Sequence, residues 1–255
     1  MNGVWFIPCR FVKDRTLAPC PTRPGGAMVP AQSRMGVGMG LYDWSGRWYE
    51  AFIYLFKQSR EERIKKRAIA KLELVPGARV LDWGCGTGMS LKPIQERLEA
   101  GHIYGVDRSP SMLKHAVARA KPSETLQFHF VLGDGLQLEL PEKVDAAVAC
   151  YALGILEPAQ FEKGVEAIWR NMKPQGKVAI VETEISPPTS FVGQLYQRAV
   201  RAVSYHLFED KCSEDHMPTV ERFFEPVEVE HIHSEQAIAF VGTRRDVVLH
   251  RVSHA

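Results

Sequence analysis

The chain has 255 residues, 45% of them hydrophobic, enough to bury one sizeable core, and this length favours one large domain over two small ones. Lysine and arginine number 32 against 30 aspartates and glutamates, so the positive excess on which nucleic-acid binding usually rests is missing and no nucleic-acid partner is expected. The five cysteines are scattered without a CxxC pair, which reads as reduced thiols in a cytoplasmic protein, and the longest uncharged apolar stretch, Ala146 to Leu156, falls well short of the ~20 residues of a membrane helix.

Residues 1–40 are rich in Pro, Gly and Arg without clear periodicity and read as a disordered leader, with residues 41–255 as one domain. Val4 to Ile7 is cut by Pro8 and Arg10, too short for the roughly 7 to 15 residue core of a secretory signal. The basic residues Arg10, Lys13, Arg15, Arg23 and Arg34 leave organelle targeting open. Trp48, Phe52 and Leu55 or Phe56 then fall at helical spacing, and the charged run Arg60 to Lys66 continues toward Leu72 before Pro76-Gly77 breaks the chain.

Arg79 to Trp83 reads as a first strand, followed by glycines and a helix carrying Met89, Ile94 and Leu98 that ends at Gly101. His102 to Val106 is a second strand; in the turn Asp107-Arg108-Ser109-Pro110, Ser109 is placed to cap a helix whose first residue is proline. Leu126 to Leu132 and Val144 to Tyr151 are the third and fourth strands, the latter with small apolar residues suited to burial on both faces. Pro158 to Met172 is a helix, Pro174-Gln175-Gly176 a turn, and Lys177 to Glu182 the fifth strand. An insertion of about residues 186–217 follows, its helix running from Phe191 to Leu207, and Val227 to Ile232 and Ala237 to Val241 form a terminal hairpin. This alternation predicts an α/β fold with a parallel sheet, right-handed crossovers and helices on both faces.

A glycine-rich turn at the carboxyl end of a first strand lets backbone approach a ligand closely, and Gly84, Gly86 and Gly88 meet that need. For a dinucleotide fold the third glycine comes one residue early and Met89 takes the expected place, which weakens a nicotinamide reading without removing it. Asp107, at the end of the second strand, is positioned to accept hydrogen bonds from both hydroxyls of a ribose. Asp134, between Gly133 and Gly135, can accept from an adenine amino group, with Met112 and Leu136 flanking the ring. Asp82 either organises the turn or meets a ligand ammonium. Taken singly, Asp107 and Asp134 are also ordinary turn acids, and Cys85 reads as a small filler inside the turn.

The segments VLDWGCGTG, GVDRSPSML, LGDGLQL and NMKPQGKVAIVE resemble, in order, the recurrent segments of class I S-adenosylmethionine-dependent methyltransferases, from Val80 to Glu182. The resemblance implies S-adenosylmethionine as cofactor and a Rossmann-like, seven-stranded, mostly parallel sheet with one antiparallel strand. It also implies that Asp82, Gly84 and Gly86 cradle the methionine part, with Cys85 and Gly88 in the same turn. Asp107 would serve the ribose and Asp134 the adenine; Arg108, Met112, Gly135 and Tyr151 are further candidate cofactor contacts, Tyr151 at the end of the fourth strand also being the first choice for a substrate contact. Trp83 departs from the smaller or aliphatic residue commoner there. Tyr42-Asp43 followed by Tyr49 resembles, loosely, the leading helix of quinone and phospholipid methyltransferases, in which this helix lids the cofactor.

A sulfonium cofactor carries its own leaving group, so the protein mainly aligns the reactants; such positioning supplies about 7 to 11 kcal/mol. Candidates for a base are Tyr151, Glu182, Glu184, His206 and His216, none singled out by sequence. His206, His216, His231 and His233 lack the spacing of a tetrahedral metal set, and no metal is expected. Trp48, Phe52, Phe191, Tyr196 and Phe208 motivate a small hydrophobic or amphiphilic acceptor, with peripheral membrane contact left open. The alternative is a cofactor-binding protein without transferase activity that serves a partner.

Overall fold

A computed structural model describes residues 58–183, 216–232 and 237–247, together with the backbone of residues 4–8. The strands are β1 (Val4–Pro8), β2 (Ala78–Trp83), β3 (Gly101–Asp107), β4 (Leu126–Leu132), β5 (Val144–Cys150), β6 (Met172–Thr183), β7 (Phe224–Ile232) and β8 (Ala237–Arg244). The helices are α1 (Gln58–Ala70), α2 (Leu91–Gln95), α3 (Pro110–Arg119), α4 (Pro158–Asn171) and α5 (Met217–Phe223).

One sheet takes all eight strands in the order β1-β4-β3-β2-β5-β6-β8-β7. Strands β1 to β6 are parallel, and β8 lies antiparallel between β6 and β7. Leaving aside the edge strand β1, this is the seven-stranded, mostly parallel sheet with a terminal antiparallel hairpin. From β2 the chain winds outward through β3 to β4, and from β5 it winds the other way to β6, so the carboxyl ends of β2 and β5 flank the crevice at which such sheets bind ligands.

Alternation along the strands divides the core. Ile64, Ile69 and Leu72 from α1 and its end, Leu91 and Ile94 of α2, and Leu113 and Ala116 of α3 pack on one face against Val80, Ile103, Phe128 and Val148. Phe161, Val165 and Ile168 of α4, with Val220 and Phe223 of α5, cover the other face against Leu81, Tyr104, Val131 and Ile180. The capped start of α3 has the expected form: the Ser109 hydroxyl accepts from Met112 N at 3.3 Å, with Pro110 opening the helix.

The structure departs from expectation in four places. Val4–Pro8, inside the segment read as a disordered leader, is a strand paired with β4 from Phe128 to Leu132, because a short β-prone run finds an open sheet edge far along the chain. The helix behind the glycines is regular only over Leu91–Gln95: Met89 still belongs to the turn, whose last bond runs from Leu91 N to Gly88 O, although Ile94 and Leu98 are fully buried as expected. The turn at Pro174-Gln175-Gly176 is absorbed as an irregularity of β6, where the pairing shifts between Val144 and Ala146 and Gln175 takes φ 60°. Helix α5, led by Pro218, was not anticipated. The rest of the leader, the aromatic helix with Tyr42 and Tyr49, and the insertion helix lie outside the described residues.

Candidate active site

Two of the turn glycines do different work. At Gly84, φ is +66° and an added Cβ would stand 2.5 Å from the Ala152 Cβ, so this glycine lets the turn press against the loop between β5 and α4. Gly86, at φ +53°, would direct a Cβ into space with nothing within 4 Å among the described residues. One glycine serves the fold, and the other leaves backbone bare toward the crevice. Gly88 again meets protein, with α3 backbone at 2.8 Å from an added Cβ.

Asp107 ties the turn to α3. Its Oδ2 accepts from Gly86 N at 2.8 Å and its Oδ1 from Ser109 N at 2.9 Å, while Cys85 N donates to Val106 O at 3.0 Å. Burial raises the Asp107 carboxyl above its ordinary range, against the pull of the Ser109 and Gly86 amides. Arg108 next to it is exposed, and Met112 is buried at the start of α3. Cys85 turns its thiol into the core, where burial raises its pKa well above the usual value; only its backbone belongs to the turn.

Trp83 explains the departure noted at its position. Its indole is 4% exposed, its Nε1 donates to Gly135 O at 3.0 Å, and an added Cβ at Gly135 would meet the ring at 2.7 Å. The indole therefore fastens the loop after β4 to the glycine turn. In that loop Asp134 is exposed, and its Oδ1 accepts from Leu136 N at 3.0 Å.

Beneath the turn lies a group of buried charges. Asp82 is 1% exposed, and its Oδ2 has no hydrogen-bond partner among the described residues. Burial pushes its carboxyl up to about 7, with Lys65 opposing the shift and Asp107 adding to it. Glu182, also buried, accepts at Oε1 from Ala152 N (3.1 Å) and Leu153 N (2.8 Å), and burial raises it to about 7 against those amides. It organises the loop from β5 to α4. Tyr151 opens that loop with φ +56°, a strained value for a bulky residue, and its amide donates to Val181 O at 2.7 Å.

Sequence reasoning passed over Lys65 inside the charged run Arg60 to Lys66. In α1 it is 7% exposed, and its ammonium lies 5.2 Å from the centre of the Tyr151 ring. Helical phase was the available signal, since Ile64, Ala68, Ile69 and Leu72 define the buried stripe on which Lys65 also falls. His216 does not join the site; it precedes α5 and its ring stacks on Phe161 at 4.1 Å. His206 and Glu184 lie outside the described residues.

The raised carboxyls set a pH dependence. A folded-state pKa above the unfolded one contributes stability that is complete below the unfolded value and is lost as pH rises through the folded value, here from about 4 to about 7 for Asp82 and Glu182. The unfolding temperature of the protein alone will fall between pH 5 and pH 8, and Asp82→Asn will flatten that fall; a parallel fall in the variant would remove Asp82 as a cause. Differential scanning fluorimetry across that range is sufficient.

Comparison with known proteins shows the family to which the chain belongs. The family described as a methyltransferase domain matches residues 80–176, from β2 into β6. A demethylmenaquinone methyltransferase of Corynebacterium urealyticum is 30% identical over 168 residues, 64% of this chain and 68% of the relative. That of Thermus thermophilus is 30% identical over 151 residues, 58% of this chain and 66% of the relative. A SAM-dependent methyltransferase of Thermotoga maritima superposes with a TM-score of 0.57 at 18% identity, covering 81% of this chain and 99% of the other, which is a likeness of fold. The chain belongs to the class I S-adenosylmethionine-dependent methyltransferases. Within that class it is related to the quinone and phospholipid methyltransferases, and its cofactor is S-adenosylmethionine. No helix among the described residues is long and apolar enough to cross a membrane.

Proposed function

We propose that this chain transfers the methyl group of S-adenosylmethionine to a small hydrophobic or amphiphilic acceptor of the quinone type. The observation that carries this reading is the glycine turn at the switch between β2 and β5, where, among the described residues, Gly86 leaves backbone open and Asp82 holds an unpartnered buried carboxylate oxygen. The acceptor class rests on the relatives named for demethylmenaquinone.

The residues fit the cofactor. Asp82 offers an acceptor to the methionine ammonium, the backbone of Gly84, Cys85, Gly86 and Gly88 forms the cradle, and the remaining lone pairs of Asp107 are available to ribose hydroxyls beside Arg108. Met112, Asp134 and Gly135 take the adenine side, on the loop that Trp83 fastens. When bound, the sulfonium supplies an activated methyl carbon with its leaving group attached. The protein positions the acceptor and receives the proton that the acceptor loses. Tyr151, held at the carboxyl end of β5, is the candidate substrate contact, whereas the Glu182 Oε1 is engaged by two backbone amides.

The test incubates the protein and S-adenosylmethionine with a reduced naphthoquinone bearing a prenyl chain, a catechol, and small primary amines. S-adenosylhomocysteine release and methylated product are followed by mass spectrometry. Turnover with the quinol above all others supports the proposal, and turnover with the amines alone overturns the acceptor class. Tight cofactor binding with no turnover on any acceptor favours a binding protein that serves a partner.

A further inference from the structure

Residues 133–143, between β4 and β5, form a loop whose regular structure is a single 3-10 turn, Gly135–Gln137. With so few bonds of its own, its course is set by the elements that hold it. Its far end is pinned by Asn171 of α4, which is 1% exposed, donates to Leu138 O at 2.8 Å and accepts from Leu140 N at 2.8 Å. Its near end is held by Trp83, through the bond of 3.0 Å from Nε1 to Gly135 O. Two glycines on different elements make the slot for this ring: an added Cβ would stand 2.7 Å from the indole at Gly135 and 3.3 Å from it at Gly164 of α4. Glycine inside a helix weakens it, and here it leaves room for the indole and for Leu153.

Asp134 stands at the start of this turn. Its Oδ1 accepts from Leu136 N at 3.0 Å, and Leu136 O accepts in turn from Arg170 Nη2 at 3.4 Å. The direction of the carboxylate therefore follows the position of Gly135, the residue the indole grips. Its Oδ2 makes no hydrogen bond among the described residues.

We propose that Trp83 sets the base preference of the cofactor site: by holding Gly135 O it fixes the Asp134 carboxylate where Oδ2 accepts from the exocyclic amino group of adenine. Trp83 is a positioning residue that acts through Asp134 without touching the cofactor. This inference rests on the reading of the glycine turn as the S-adenosylmethionine site, with Asp134 on its adenine side. An amino group at the purine 6-position donates to a carboxylate, whereas an oxygen there sets lone pair against lone pair. A fixed acid therefore discriminates between the two bases, and a loose one does not.

Calorimetric titration of the full chain with S-adenosylhomocysteine and with S-inosylhomocysteine, which carries oxygen in place of that amino group, tests this role. Wild-type protein will bind the adenosine compound about 10-fold or more tightly, the scale of one charged hydrogen bond. Trp83→Phe keeps an aromatic ring without the N–H; it will lose most of that preference while binding S-inosylhomocysteine no more weakly than wild type does. Gly135→Ala keeps the indole and drives the loop off it, so the same loss is expected there even if Trp83→Phe does not fold. A merely structural tie would lower both affinities by one factor, so either variant, folded and with the wild-type ratio intact, overturns the proposal. So do equal wild-type affinities for the two nucleosides. A wild-type protein that binds neither refutes the cofactor site itself.

Discussion

Gly86→Val will weaken S-adenosylhomocysteine binding by about 100-fold or more, roughly 2.7 kcal/mol, while the protein still folds. The reason lies in what faces this residue: an added Cβ meets no atom of the described residues within 4 Å, so the branched side chain intrudes on the space we assign to the ligand. The left-handed backbone, φ +53°, adds strain of about 1 to 3 kcal/mol that a domain of this size tolerates. Gly84→Val is the contrasting control. There the Cβ lands 2.5 Å from the Ala152 Cβ, so the loss is one of packing and appears as a drop of several degrees in unfolding temperature. Calorimetric titration and thermal unfolding of both variants check the pair. Normal affinity in Gly86→Val would mean that no ligand approaches the turn.

Asp107→Ala will cost about 100-fold or more in affinity, and by the same factor for S-adenosylhomocysteine and 5′-methylthioadenosine, because the ribose is common to both. A lost charged bond to the ligand accounts for about 1.5 to 3 kcal/mol. The structure adds a second contribution, since the same carboxylate accepts from Gly86 N at 2.8 Å and Ser109 N at 2.9 Å. Without it, two amides lose their acceptor and the turn loses its anchor to α3. Asp107→Asn, which keeps one acceptor oxygen and sets an amide NH2 against the other backbone donor, should fall between wild type and alanine. Unchanged binding in Asp107→Ala would sink the ribose assignment, and a loss confined to S-adenosylhomocysteine would move Asp107 to the methionine side.

These expectations show how much of the site could be read from the chain. Glycines after a strand, an acid at the end of the next strand and an acid between glycines after the third are local patterns, and the segments carrying them lie where the spacing put them. What stayed hidden depends on distant partners. The burial of Lys65 follows from the phase of α1 on the sheet, which charge composition masks. One of the two amide bonds of Asp107 depends on a glycine 21 residues earlier. Strand β1 pairs with residues more than a hundred positions away, so a short run ending at Pro8 carried no sign of its partner. Trp83 was visible as an oddity, and its reason, a hydrogen bond to Gly135 O 52 residues on, was not.

The place of β8 also bears on how the molecule is made. It lies between β6 and β7 although β7 precedes it in the chain, so β7 has no neighbour in the sheet until β8 exists. As the polypeptide leaves the ribosome, the β6 edge waits for its β8 partner through the whole synthesis of β7 and the residues that join it to β8. An open strand edge is a template for wrong pairing with other chains. The interval between emergence of β6 and docking of β8 is therefore the period in which a nascent chain is most exposed to aggregation, and the one in which a chaperone would be of most use.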